Sequence, residues 1–127
     1  MPAGAKLFLS MGSLLALAAV AIGAFGAHGL KARLSPEMLG IYQTGVQYHF
    51  YHALGLVLVG LACLHLPESA ALRASGWLMA AGVLLFSGSL YALALTGERW
   101  LGAVAPLGGT AFILAWSAFA WAVLRTP

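Results

Sequence analysis

Residues 42–55, YQTGVQYHFYHALG, mark the point where a polar stretch of the chain becomes an apolar one. The segment carries glutamines, tyrosines and histidines, and the chain after it stays apolar except for His65 until Pro67. A helix that crosses about 30 Å of hydrocarbon needs about 20 predominantly apolar residues. The segment therefore predicts the entry of a membrane-spanning helix.

The composition of the whole chain is also that of a membrane protein. Of 127 residues, 62% are hydrophobic and only 7% are charged, whereas about a quarter of the residues in soluble domains are charged. The six Lys or Arg and three Asp or Glu all fall between long apolar runs, as expected because a charge at the membrane centre costs about 3 kcal/mol. These features predict an integral membrane protein whose partner is the lipid bilayer.

Charge and cysteine content exclude other classes. The net charge of +3 is spread over several loops, so no basic patch exists to hold a phosphate backbone and no nucleic-acid partner is predicted. The single cysteine, Cys63, lies in an apolar run and has no partner for an intrachain disulfide or a thiolate cluster. It is interpreted as a packing residue, and no cofactor is predicted.

Four apolar runs predict the architecture. They cover about 7–26, 47–66, 76–95 and 101–124, which predicts an all-α membrane protein with one domain, 1–127, and four transmembrane helices in a bundle. Ser35, Pro36 and Glu37 form a strong helix start, so the second helix begins with a polar, amphipathic lead-in near the headgroups. The Lys and Arg residues divide equally between the two sides of the membrane, so the positive-inside rule assigns no orientation.

Two of the runs leave alternatives open. The first resembles a signal peptide, with Lys6 before its apolar core, but its regular small residues favour a retained, packed helix. In the fourth run Pro106 either kinks the helix near its entry or marks a later helix start.

Small residues recur at helical spacing in several runs. Such stripes allow membrane helices to approach closely, which predicts tight packing. The predicted packing residues are Gly12, Ala16, Ala19, Gly23 and Gly26 in the first run, Ser87 in the third, and Ala111, Ala115 and Ala118 in the fourth.

The histidines near the first hairpin form the candidate site. If the first two helices are antiparallel, His28 comes toward His49 and His52, with Gln47 and Tyr48 close by. Three interpretations stay open, namely a polar interface that bridges helices, a site for a headgroup or small solute, and a metal or haem site. The chain has no catalytic template such as a nucleophile elbow or a carboxylate pair, so no catalytic residue is assigned and an enzyme is disfavoured.

Four sequence blocks resemble one family when they are taken together. They are GAFGAHGLK at 23–31, YQTGVQYHFYHALGL at 42–56, FSGSLYALALTG at 86–97 and LGAVAPLGGTAFILAW at 101–116. In this order they resemble the small four-span membrane family catalogued as domain of unknown function 423. The resemblance covers nearly the whole chain, implies a multi-pass protein of the bacterial inner membrane and supports a retained first helix. It implies no reaction, ligand or catalytic residue.

Three function hypotheses follow. The first is a structural or accessory membrane protein that forms a homo-oligomer or joins a larger membrane complex, because the small-residue stripes predict helix association. The alternative is a small transporter or channel with a histidine-lined polar site at the first hairpin. The third is a membrane-embedded enzyme.

Overall fold

The computed structural model describes all 127 residues and is all-helical. Four helical segments are long and apolar enough to cross a membrane, in agreement with the sequence prediction. Two of the segments contain a π-helical turn, and a short 3₁₀ turn precedes the last helix. In chain order the elements are α1 (Ala3–Phe25), a first π turn (Gly26–Leu30), α2 (Pro36–His65), α3 (Ala70–Gly82), a second π turn (Val83–Ser87), α4 (Gly88–Thr96), the 3₁₀ turn (Arg99–Ala103) and α5 (Ala105–Leu124).

The helix boundaries follow local chemistry. Ser35 caps α2 by accepting a hydrogen bond from the Met38 amide at 3.2 Å, with Pro36 in the first turn, as its sequence predicts. Gly97 ends α4 in the left-handed conformation, with φ of 75°, which glycine adopts without steric cost. Of the two alternatives for Pro106, the structure has the later start, because α5 begins at Ala105 with the proline in its first turn.

The second and third spanning segments lie at the centre of the bundle. Within their most apolar windows 44% of the residues are buried, against 17% for the first segment and 22% for the fourth. The helix α1 packs along α2, and α5 packs along α3 and the second π turn. The outer segments therefore turn much of their surface toward the membrane.

Glycines allow the close approach of neighbouring helices. A methyl group added at Gly12 would lie 2.7 Å from the Ala53 carbonyl oxygen, so α1 and α2 touch nearly backbone to backbone there. A methyl group at Gly108 would clash with the Phe86 backbone, which brings α5 against the second π turn in the same way. Without a hydrophobic driving force between helices in lipid, such van der Waals contact stabilises the bundle.

The other predicted packing residues also lie within the chain's own helix contacts. Of the first stripe, Gly12, Ala19 and Gly26 are buried and Ala16 and Gly23 are half-buried. In the later segments Ser87, Ala111 and Ala115 are buried and Ala118 is half-buried. These stripes are thus largely occupied by intrachain packing.

The interior consists of two apolar clusters with a polar layer between them. The larger cluster, which includes Phe8, Leu56 and Met79, lies toward the end of the bundle that holds the α2–α3 loop. The smaller contains Leu30, Tyr42 and Ala94 and lies toward the opposite end. The stretch of α2 between the two clusters carries the buried histidines.

Candidate functional site

The candidate site is the polar layer that α2 carries between the two clusters. His49 is 3% exposed and His52 is 4% exposed, so both imidazoles are removed from the surrounding lipid. They lie three residues apart on the helix and therefore point in different directions. His49 contacts α4, whereas His52 contacts α5.

Both ring nitrogens of His52 are hydrogen-bonded. Nδ1 donates to the Tyr48 carbonyl oxygen at 2.7 Å, and Nε2 accepts from the Trp116 indole N–H at 3.0 Å. Because the indole only donates, Nε2 carries no proton and the ring is the neutral Nδ1–H tautomer. The ring also stacks on Phe112, with centroids 3.5 Å apart and planes 7° from parallel. His52 therefore connects α2 to α5.

His49 is only partly satisfied. Its Nδ1 lies 2.8 Å from the Tyr91 hydroxyl oxygen. With that hydroxyl donating, the ring proton lies on Nε2, which is buried and has no hydrogen-bond partner. The Leu15 main chain lies beside the ring, but the geometry falls short of a hydrogen bond. A buried imidazole nitrogen without a partner is unusual in a folded protein.

Two further hydrogen bonds complete the polar layer. The Ser87 hydroxyl, in the second π turn, donates to the Gly45 carbonyl at 2.7 Å. The Tyr42 hydroxyl donates to the Ile22 carbonyl at 2.6 Å, and its ring centroid lies 5.4 Å from that of Tyr91. Together with the His52–Trp116 bond, these contacts join all four spanning segments through side-chain hydrogen bonds.

The first hairpin does not bring His28, His49 and His52 together into one site. His28 is exposed, in the first π turn, and makes no side-chain hydrogen bond, whereas His49 and His52 are buried on two sides of α2. Gln47 donates to Tyr51 on the exposed surface at 2.6 Å. No group of three His, Cys, Asp or Glu side chains is placed to hold a metal ion.

The sequence does not predict the hydrogen-bond partners of the buried histidines. Tyr91 is 42 residues from His49, and Trp116 is 64 residues from His52. The sequence suggests a membrane-boundary role for Trp116, as for other tryptophans. The position of Trp116 argues against that role, because it precedes the end of α5 by more than two turns and so lies too deep for a boundary residue.

A groove opens beside His52 on the side of the bundle. It has a volume of about 790 Å³ and runs between α2, the second π turn and α5. Its lining combines aromatic rings from all three elements with small or hydroxyl-bearing residues of α5. The rings are Tyr48, Phe86, Phe112 and Trp116, and the α5 residues include Gly109, Thr110 and Ser117.

The four apolar segments and the buried polar layer define a small, helical, multi-span membrane protein. Its sequence matches the family model described as "Protein of unknown function (DUF423)" over residues 22–109. The chain belongs to this family, as the four sequence blocks predict.

Curated relatives are named UPF0382 membrane proteins. The chain is 50% identical over 111 residues to the UPF0382 membrane protein YwdK of Bacillus subtilis, covering 87% of this chain and 90% of the relative. It is 44% identical over 120 residues to the UPF0382 membrane protein SERP0230 of Staphylococcus epidermidis, covering 94% and 97%. No solved structure matches the chain.

Proposed function

We propose that this protein is a structural or accessory membrane protein that acts through helix association, and that it forms a homodimer through α5. The observation that carries the proposal is the lateral groove beside α5. Contacts between membrane helices depend on small residues and close packing, because lipid tails are as apolar as the helix surfaces. A lateral groove that presents Gly109, Thr110 and Ser117 beside its aromatic rings is suited to another helix.

The outer face of α5 has the composition of a helix contact. Unlike Gly108, Gly109 is open, since a methyl group there would meet only the Phe86 ring, at 4.0 Å. The Thr110 and Ser117 hydroxyls donate to carbonyls of their own helix at 2.9 and 2.8 Å. A docking helix would therefore leave neither hydroxyl without an acceptor.

A second copy of the chain fits this face. Ile113 also lines the groove and is 69% exposed. It lies four residues, about one helical turn, from both Gly109 and Ser117. In a twofold dimer each copy contributes the same surface to the interface. The Ile113 side chain of each copy then packs into the open space at Gly109 of the other. The fourth segment, largely unburied in the single chain, gains a partner in this way.

Filling the open space at Gly109 is expected to weaken dimer formation. Gly109→Leu places a branched side chain where the partner helix would approach, and we expect dimerisation to weaken at least about tenfold, or about 1.4 kcal/mol. Gly88→Leu is the matched control, because Gly88 is also helical and has nothing within 4 Å of an added methyl group. Light scattering in mild detergent measures the mass of the protein alone.

Cross-linking in membranes provides a second measurement. Ile113→Cys is expected to form a disulfide between copies, whereas Leu17→Cys, 68% exposed on α1, is not. A monomer for the wild-type chain, or equal cross-linking at the two positions, contradicts the homodimer. Cross-linking of Ile113→Cys to a different protein assigns the groove to another partner and contradicts it as well.

We also propose the bacterial inner membrane as the location. The matched relatives are bacterial and are named membrane proteins. Spanning proteins of the bacterial outer membrane are closed barrels, whereas this chain is all-helical, which supports the inner membrane.

The polar layer favours a second candidate, a small transporter. His49 is an ionisable residue within a spanning segment and has a buried, unpaired Nε2, and such residues commonly mark the path of protons or polar solutes. In proteoliposomes with an internal pH dye, this candidate predicts proton uptake that His49→Gln reduces to the level of empty liposomes. The exposed His65→Gln is the control. Uptake equal to that of empty liposomes in the wild-type protein rejects a proton transporter.

A further inference from the structure

The end of the bundle that holds the α2–α3 loop contains a cleft with charges of both signs. The cleft has a volume of about 490 Å³ and lies between this loop and the C-terminal end of α5. Three helix ends meet there, since α2 ends at His65, α3 begins at Ala70 and α5 ends at Leu124. The cleft therefore lies at the boundary between the hydrocarbon and the headgroups.

The charged groups of the cleft are not paired with each other. Glu68 and Arg125 both line it, and neither makes a salt bridge, whereas Arg99 pairs with Glu37 at the opposite end of the bundle. The Arg125 guanidinium carbon lies 5.2 Å from the centre of the Trp121 ring, which orients the cation by a cation–π interaction. A positive and a negative group thus line one cleft without forming a salt bridge.

The floor of the cleft is apolar. Ala122 is 6% exposed and belongs to the larger core cluster, and Leu66 and Ala71 pack against that cluster from the loop side. A ligand in this cleft meets charge at its outer end and hydrocarbon at its inner end. This is the division of chemistry within a phospholipid.

We propose that this cleft binds a phospholipid with a zwitterionic headgroup that carries a primary ammonium. Arg125 binds the phosphate, since guanidinium donors match phosphate oxygens. Glu68 accepts hydrogen bonds from the ammonium, which a quaternary ammonium cannot supply. The acyl chains leave along the apolar floor and the flank of α5. The site is separate from the groove at Gly109 and does not depend on dimer formation.

Native mass spectrometry of the delipidated full chain tests the proposal. Dioleoyl phosphatidylethanolamine, added in detergent, is expected to be retained more strongly than dioleoyl phosphatidylcholine. Glu68→Gln is expected to reduce this preference about threefold, as befits one charge-assisted hydrogen bond near solvent. Arg125→Gln is expected to weaken both lipids, because both carry the phosphate.

Matched variants outside the cleft provide the controls. Glu98 makes no salt bridge, and neither Glu98 nor Arg73 lines the cleft, so Glu98→Gln and Arg73→Gln are expected to leave both lipids unchanged. Equal retention of the two lipids by the wild-type chain, or equal effects of Glu68→Gln and Glu98→Gln, overturns the proposal. Soluble phosphoethanolamine is expected not to displace the lipid. Displacement by it at comparable concentration assigns the cleft to a soluble phosphate ester and overturns the lipid assignment.

Discussion

Gly108→Ala is expected to destabilise the bundle by about 3 kcal/mol, near the upper end of the range for overpacked sites. The added methyl group would overlap the Phe86 amide nitrogen, Cα and Cβ. A backbone cannot rotate away as a side chain can, so α5 must move off the second π turn. That movement also disturbs the stacking of Phe112 on His52. Reversible unfolding in a detergent series measures the loss.

Gly88→Ala provides the control, because Gly88 is also helical and lies outside the groove at Gly109. An alanine at this position is in open space and favours the helix more than glycine does. We expect a change within about 1 kcal/mol, in the stabilising direction. Equal destabilisation by the two substitutions would show that helix propensity, and not the contact with Phe86, sets the effect at Gly108.

His52→Ala is expected to cost about 3 kcal/mol, comparable to the truncation of a buried aromatic ring. The substitution leaves a void against Phe112 and removes the only acceptor of the Trp116 indole N–H, whose hydrogen bond to His52 is partly buried. An unpaired donor away from water adds a penalty to the lost packing. The same unfolding measurement in detergent gives the difference in free energy.

The matched control is His65→Ala, in the last turn of the same helix. His65 is exposed and makes no side-chain hydrogen bond, so we expect a change below about 0.5 kcal/mol. If His52→Ala and His65→Ala lowered the free energy of unfolding equally, the His52–Trp116 hydrogen bond would not contribute to stability.

Much of the fold could be predicted from local sequence. The apolar runs indicate four spans because their length matches the membrane. Ser35 and Pro36 specify the start of α2, and Gly97 the end of α4, because capping and backbone conformation depend on neighbouring residues. The choice at Pro106 required the structure, since a proline at a helix start and a proline at a kink have the same local sequence.

The candidate site was only partly predictable. The sequence of residues 42–55 indicates a candidate site because polar side chains at a span entry are chemically capable, and the buried histidines do lie there. Antiparallel pairing of the first two helices predicts that His28 joins them, yet His28 lies exposed in a π turn. Spacing along one helix does not reveal which neighbour a side chain meets, and the partners of His49 and His52 come from α4 and α5.

The sequence by itself determined that the chain lies in a lipid bilayer and that it has four spanning segments, because hydropathy and charge placement act over one span at a time. The order of the helices in space was left to the tertiary structure, which places the second and third segments at the centre. It also decided that the glycine stripes pack within the chain and that Gly109 stays open. The physical reason is that contacts between membrane helices depend on shape, and shape arises only when distant segments meet.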